Sequence, residues 1–136
     1  MSGFFYFHSA VKEQRIELPE CTIIARADGI LHIAYTDIFL HLEDSKRIFR
    51  ETRSFSPWEK APLFLSGTGF TNQDKASRDF NGSPEVLKHC SAIAFHSPSL
   101  AQKILANFFI KMMRPSVPTR FFTTEEDAIN WLKNYL

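Results

Sequence analysis

The residues of this chain whose types and spacing could do chemistry lie in one short loop, Ser66-Gly67-Thr68-Gly69, with Thr71 two residues beyond it. The loop follows an apolar strand candidate and precedes a helix candidate. At this position an α/β sheet presents exposed backbone N–H groups to a ligand or a phosphate. Its spacing matches neither a dinucleotide-binding loop nor a Walker loop, and it lacks the lysine of the latter. The pattern is therefore that of a plain tight loop or of a ligand-binding loop.

The five histidines and two cysteines show no arrangement typical of metal binding or nucleophilic catalysis. No two histidines are four residues apart, and there is no Cys-x-x-Cys pair. His89 and Cys90 are adjacent, but neighbouring side chains on a helix diverge by about 100° and would not form a nucleophile–base pair. A serine hydrolase elbow is absent as well. We therefore expect no catalytic residue, no metal site and no cofactor, and we predict that the chain is not an enzyme.

Charge and cysteine usage indicate the expected partners and compartment. The formal net charge is +1, so the balance indicates no nucleic-acid partner. A basic cluster between Lys46 and Arg53 is interleaved with acidic residues, which favours a solvated helix face. Two distant cysteines favour free thiols in a reducing compartment. The apolar residues 4–7 lack the basic flank of a signal peptide, and no run is long enough to span a membrane, so we predict a cytoplasmic protein.

The framework that must position these residues is clearest in the last third of the chain. The short apolar run 92–95 is typical of a strand buried on both faces, and Thr119–Phe122 restarts a strand. Between them, a helix from Leu100 to Met113 is predicted, with Ser97 as N-cap and Pro115 ending it. Two strands joined through a helix form a parallel βαβ unit. A last helix follows, for which Thr123 and Glu126 form a predicted capping box.

The front of the chain supplies the rest of the predicted sheet. Asp28-Gly29 lies between two β-rich runs, 22–27 and 30–35, and predicts a two-residue type I′ hairpin. Residues 4–7 and 14–18 are weaker strand candidates, and 62–65 is a short central strand. Helices are predicted at 42–52, from a cap at Thr71 or Asn72 through Phe80, and from Ser83-Pro84 to Cys90. The whole is one α/β domain, residues 1–136, with a four- to five-stranded mixed sheet, an N-terminal antiparallel hairpin and helices mainly on one face.

The helix at 100–113 carries more apolar side chains than one sheet face can cover. Its polar residues form a single narrow stripe, and four large apolar residues cluster at its end: Phe108, Phe109, Met112 and Met113. These residues could form a core in which methionine fills gaps. Alternatively, one side of the helix contacts another subunit or lines an apolar cavity.

Three runs in the last third resemble the signature of a known group: AQKILANFF at 101–109, RPSVPTRFF at 114–122 and EEDAINWL at 125–132. This signature is similar to that of the small bacterial STAS-like (SpoIIAA-like) proteins, which are related to anti-sigma-factor antagonists and, more distantly, to lipid-binding domains. The resemblance implies a mixed sheet with helices mainly on one face. In the antagonists the phosphorylated serine follows an aspartate in the loop after a strand. That aspartate–serine pair is missing here, so Ser66, Thr68 or Thr71 would replace it as a phospho-acceptor by position only.

Two functions of different classes follow from these observations. The first is a non-catalytic regulatory or protein-interaction domain, working as a homodimer or docking onto another protein. The alternative is a carrier or sensor of a small apolar ligand or lipid, which the resemblance to lipid-binding domains allows. Self-association without an extractable ligand would favour the first, and a pocket with a bound apolar molecule would favour the second.

Overall fold

The computed structural model of the protein describes residues 12–67 and 72–136, except for the side chains of Phe109 and Met113. Within these residues the chain forms one six-stranded sheet whose strands follow each other in chain order. The strands are β1 (Gln14–Glu17), β2 (Cys21–Ala25), β3 (Leu31–Tyr35), β4 (Ala61–Ser66), β5 (Cys90–His96) and β6 (Thr119–Phe122). The expected four to five strands were therefore too few. β1 is an edge strand and mostly exposed, so its sequence lacks the apolar alternation that identifies a half-buried strand.

The sheet is antiparallel at one edge and parallel over the rest. β1 pairs with β2 and β2 with β3 in antiparallel fashion, whereas β3, β4, β5 and β6 are parallel neighbours. Leu63 of β4 lies opposite Ile93 of β5, and Ile93 lies opposite Thr119 of β6. The predicted mixed sheet with an N-terminal antiparallel hairpin is thus confirmed. The strand candidate at residues 4–7 lies outside the described residues.

The turn between β2 and β3 differs from the predicted type I′ turn. A type I′ turn needs two central residues with positive φ, but here only Gly29 has one, at 93°. Arg26 N–H donates to the Ile30 carbonyl over 3.0 Å, and Gly29 N–H donates to the Arg26 carbonyl over 3.1 Å. The Asp28 carboxylate accepts from the Arg26 guanidinium at 2.8 Å and from Ile30 N–H at 3.2 Å. These bonds hold a longer turn with a single left-handed glycine.

Five α-helices are formed by the described residues, and a 3-10 turn follows the last of them. They are α1 (Leu42–Phe55), α2 (Lys75–Asn81), α3 (Pro84–Leu87), α4 (Leu100–Met113) and α5 (Glu125–Leu132), with the 3-10 turn at Lys133–Tyr135. Three predicted N-caps were wrong. Asp74 rather than Thr71 or Asn72 caps α2, Ser99 rather than Ser97 caps α4, and Thr124 rather than Thr123 caps α5. In each case a nearby residue accepts the hydrogen bond from the N–H group of N3.

The sheet separates two apolar cores. On one face, Ile48 of α1, Leu87 of α3 and Ala106 of α4 pack against the inward side chains of the strands. On the other face, Ile30 and Phe64 pack against α5, which buries Ala128, Ile129 and Leu132. Most helices therefore cover one face, and α5 alone among the described helices contributes to the core on the other.

A buried ion pair fixes α1 to the start of β2. The Glu20 side chain is 5% exposed, and its carboxylate pairs with the Arg47 guanidinium of α1, which is 34% exposed. The second carboxylate oxygen of Glu20 is buried and has no hydrogen-bond partner among the described residues. Breaking this pair would leave a buried charge uncompensated, so it holds α1 over the sheet.

Candidate functional site

The structure places the predicted loop at the carboxyl end of β4, where Ser66 is the last strand residue. Gly67 follows with φ at +89°, and a Cβ atom there would lie 2.4 Å from the Tyr35 carbonyl oxygen. Only glycine fits such a close approach of two backbones at positive φ. Thr68, Gly69 and Thr71 lie outside the described residues. A ligand-binding or phospho-acceptor role for this loop therefore stays a prediction.

The Ser66 hydroxyl is hydrogen-bonded to a histidine that the sequence did not single out. Ser66 Oγ lies 2.8 Å from His32 Nε2, and the His32 ring packs against Phe64 with centroids 4.4 Å apart. Burial, together with the charges of Arg26 and Arg15, lowers the pKa of His32 to about 4. A base with so low a pKa takes up a hydroxyl proton poorly at neutral pH. The pair therefore satisfies two half-buried polar groups rather than forming an activated nucleophile.

The helix α4 is the most unusual element of the structure because it is both apolar and exposed. Among its described side chains only Ala106 is buried, at 3% exposure. The large apolar residues facing solvent are Leu100, Ile104, Leu105, Phe108 and Met112, with exposures between 41% and 68%. Two of the four predicted interface residues, Phe108 and Met112, thus lie on the outer surface. The side chains of Phe109 and Met113 are outside the described part.

Beneath α4 lies a cavity of about 180 Å³. The sheet forms its floor, α1 one side and α4 another, and most of its lining is aliphatic or aromatic. Side chains that line it include Ile33, Ile48, Leu63, Ile93, Ala106 and Ile110. Because α4 directs the small Ala106 toward the core, this helix covers the sheet without filling the space beneath it.

Part of the cavity lining is polar, and Arg53 gives it positive charge. Arg53 Nη2 donates to the Glu59 carbonyl oxygen over 3.3 Å, and His89 Nδ1 bonds to the same oxygen at 2.9 Å. A carbonyl oxygen only accepts, so His89 carries its proton on Nδ1. Both side chains line the cavity together with Cys90. Burial raises the pKa of the Cys90 thiol to about 11, although Arg53 and Lys60 oppose that rise.

A second polar group in the lining is hydrogen-bonded internally. Asn81 Nδ2 donates to Gln73 Oε1 over 3.0 Å and to Ser45 Oγ over 3.2 Å, which joins α2 to α1. Arg78 of α2 also lines the cavity. Sequence reasoning missed these residues because they come from separate helices that only the folded chain brings together.

The described residues form neither a metal-binding cluster nor a membrane-spanning helix. No group of three or more histidine, cysteine or acidic side chains is arranged to hold a metal ion within the described ranges. Likewise, none of the helices in the described part has the length and apolar character needed to cross a membrane.

This α/β architecture is a SpoIIAA-like fold, as the resemblance to STAS-like proteins predicted. A similar solved structure is that of an uncharacterised protein of the DUF3478 family with a SpoIIAA-like fold, from Shewanella loihica PV-4. The TM-score is 0.53 and the identity 12%, over 89% of this chain and 92% of that chain. A likeness at this identity concerns the fold alone.

The chain belongs to the family described as a domain of unknown function, DUF7793, whose family model matches residues 23–136. A second solved structure, of a protein of unknown function from Arthrobacter sp. FB24, is 27% identical over 81% of this chain and 96% of that chain, with a TM-score of 0.29. No curated protein matches the sequence.

Proposed function

We propose that this protein is a non-catalytic domain that binds a small apolar molecule in the cavity between α4, α1 and the sheet. The observation that carries the proposal is the cavity of about 180 Å³ with its mainly apolar lining. An apolar cavity of about 150 Å³ is large enough to hold benzene. A small hydrocarbon group entering such a space gains contacts that the empty cavity lacks.

The non-catalytic part of the proposal is supported by the chemistry around Ser66. His32, its hydrogen-bond partner, has too low a pKa to act as an efficient general base near neutral pH. Cys21 and Cys90 are buried free thiols, and burial raises the pKa of both, so neither is an activated nucleophile. Two free thiols also support a reducing compartment, and we propose the cytoplasm.

The proposal is tested by filling the cavity. Ala106 is buried and lines it, so we expect Ala106→Leu to place added methyl groups in the space and abolish binding of octan-1-ol, measured by calorimetry. Ala101→Leu on the same helix is the matched control, because Ala101 is exposed and does not line the cavity. Failure of octan-1-ol to bind the wild-type chain would contradict the proposal.

A second candidate function is self-association through the outer face of α4. It is favoured by the five large apolar side chains on this helix that are 41–68% exposed. A patch of this kind can pair with the same patch on a second copy around a two-fold axis, because apolar contact needs no complementary charge. Under this candidate the domain acts as a homodimeric interaction module, alone or with another protein.

A further inference from the structure

Arg53, which lines the cavity, has unused hydrogen-bond donors. Arg53 uses one nitrogen, Nη2, to reach the carbonyl oxygens of Trp58 and Glu59, at 3.3 Å each. Within the described ranges, its Nε and Nη1 atoms have no hydrogen-bond partner and no carboxylate lies within ion-pairing distance. Arg53 is half-buried and lines a mainly apolar cavity, and these two nitrogen atoms bind no acceptor among the described residues.

The neighbourhood of Arg53 holds another hydrogen-bond donor, His89, and another positive charge, Lys60. His89 shares the Glu59 carbonyl with Arg53, so a nitrogen atom of each side chain lies within 3.3 Å of the same oxygen atom. Charges on Arg53 and Lys60 act on the nearby Cys90. The rest of the lining is mainly apolar. A ligand that fits both parts has an anionic head and a hydrocarbon tail, because a guanidinium binds a carboxylate through charge-assisted hydrogen bonds.

We propose that the ligand is an acyl chain ending in a carboxylate, with its head group bound by Arg53 beside His89 and its chain between α4 and the sheet. This inference rests on the proposed function, since it names the ligand class of the same cavity. Judged from the size of cavities that hold benzene, a chain of roughly six to eight carbons fits the space.

Arg78 also lines the cavity and is the alternative residue that could bind the carboxylate. Its neighbours in the lining, Gln73 and Asn81, are hydrogen-bonded to each other. Arg78 is a second guanidinium in the lining, on α2 rather than near the end of α1. The two anchors can be distinguished because each can be neutralised separately.

The test compares the affinities of the whole protein for octanoate and octan-1-ol, measured by calorimetry. The two ligands have hydrocarbon chains of the same length and differ in the charge of the head group. We expect Arg53→Met to lower the affinity for octanoate about tenfold or more and to change the affinity for octan-1-ol by no more than about twofold. Arg53→Lys keeps the charge and should retain most of the octanoate affinity. Octan-1-ol binding by each variant reports that the cavity is intact.

Arg50→Met is the matched control, because Arg50 is exposed on the same helix and does not line the cavity. The inference is overturned if octanoate fails to bind while octan-1-ol binds, or if Arg78→Met rather than Arg53→Met weakens octanoate. It is also overturned if Arg53→Met weakens both ligands equally. If neither ligand binds the wild type, the proposed function itself fails, and this inference fails with it.

Discussion

The residues near the end of β4 show which features of a site could be predicted from the sequence and which could not. The sequence singled out Ser66 and Gly67, and Gly67 does adopt the positive φ that a tight loop requires. It did not single out His32, although this residue binds Ser66. The two lie on adjacent strands and point to the same face, and that pairing depends on the register between β3 and β4. No local pattern encodes a register between strands joined through a helix.

Replacing Gly67 should destabilise the protein because no other residue fits its surroundings. Gly67→Ala would place a Cβ atom 2.4 Å from the Tyr35 carbonyl oxygen at a φ of +89°. We expect a loss of about 2–3 kcal/mol in the free energy of unfolding, measured by urea denaturation. Gly82→Ala is the control, since Gly82 has φ at −94° and needs no special conformation. Equal effects of the two substitutions would argue against strain at Gly67.

His32 should make stability depend on pH in a defined direction. Its folded-state pKa is lowered from 6.5 to about 4, so between these values the unfolded chain binds more protons than the folded one. The contribution of His32 to stability is therefore fully present above this pH range and is lost as the pH falls through it. We expect the urea midpoint of His32→Gln to fall less than that of the wild type between pH 7 and pH 4. Parallel decreases in both proteins would contradict the assignment.

At the level of elements, strand and helix identities were largely predictable, whereas their boundaries and caps were not. Periodicity identified α1, α4 and α5 correctly. The caps of α4 and α5 were displaced by one or two residues because Ser97 and Ser99, or Thr123 and Thr124, are chemically equivalent candidates. Backbone geometry decides between them: Ser97 Oγ instead accepts from Ser99 N–H at 3.2 Å. Two serines or two threonines have the same capping preference, so the sequence does not show which of them is the N-cap.

The attachment of α1 to the sheet can be tested at its ion pair. Arg47→Met would leave the buried Glu20 carboxylate without its partner, and we expect a loss of about 3 kcal/mol in the free energy of unfolding. The double variant Glu20→Leu with Arg47→Met should regain most of that loss, because two apolar residues leave no buried charge. Lys46→Met, at an exposed neighbouring position, serves as control. Additive effects of the two single substitutions would show that the residues do not interact.

At the level of the whole molecule, the sequence indicated an excess of apolar surface on α4 but not where that excess lies. The structure divides it between an outer face and a cavity. The size of the cavity depends on how far α4 stands from the sheet, and β6 is the strand against which α4 packs. Such a distance is a property of the assembled layers and leaves no trace in periodicity. This explains why a carrier and an interaction domain could not be separated from sequence.

The outer face of α4 gives a prediction about self-association. If it pairs with a second copy, Phe108→Glu should shift the chain to monomer in sedimentation experiments, because a charge in a dry contact loses its hydration without compensation. Asn107→Glu is the matched control, since Asn107 is exposed on the polar side of the same helix. A wild-type chain that is monomeric at high concentration would contradict this second function.

The measurement that tests the central claim most directly is a titration of the methyl-labelled chain with octan-1-ol, followed by nuclear magnetic resonance. Ile33 and Ile93 line the cavity, whereas Ile30 and Leu132 are equally buried on the opposite face of the same sheet. Ligand binding in the cavity predicts saturable shifts of the Ile33 and Ile93 methyl signals, with Ile30 and Leu132 unchanged. Shifts confined to the exposed residues of α4, or no saturable shift at all, would contradict it.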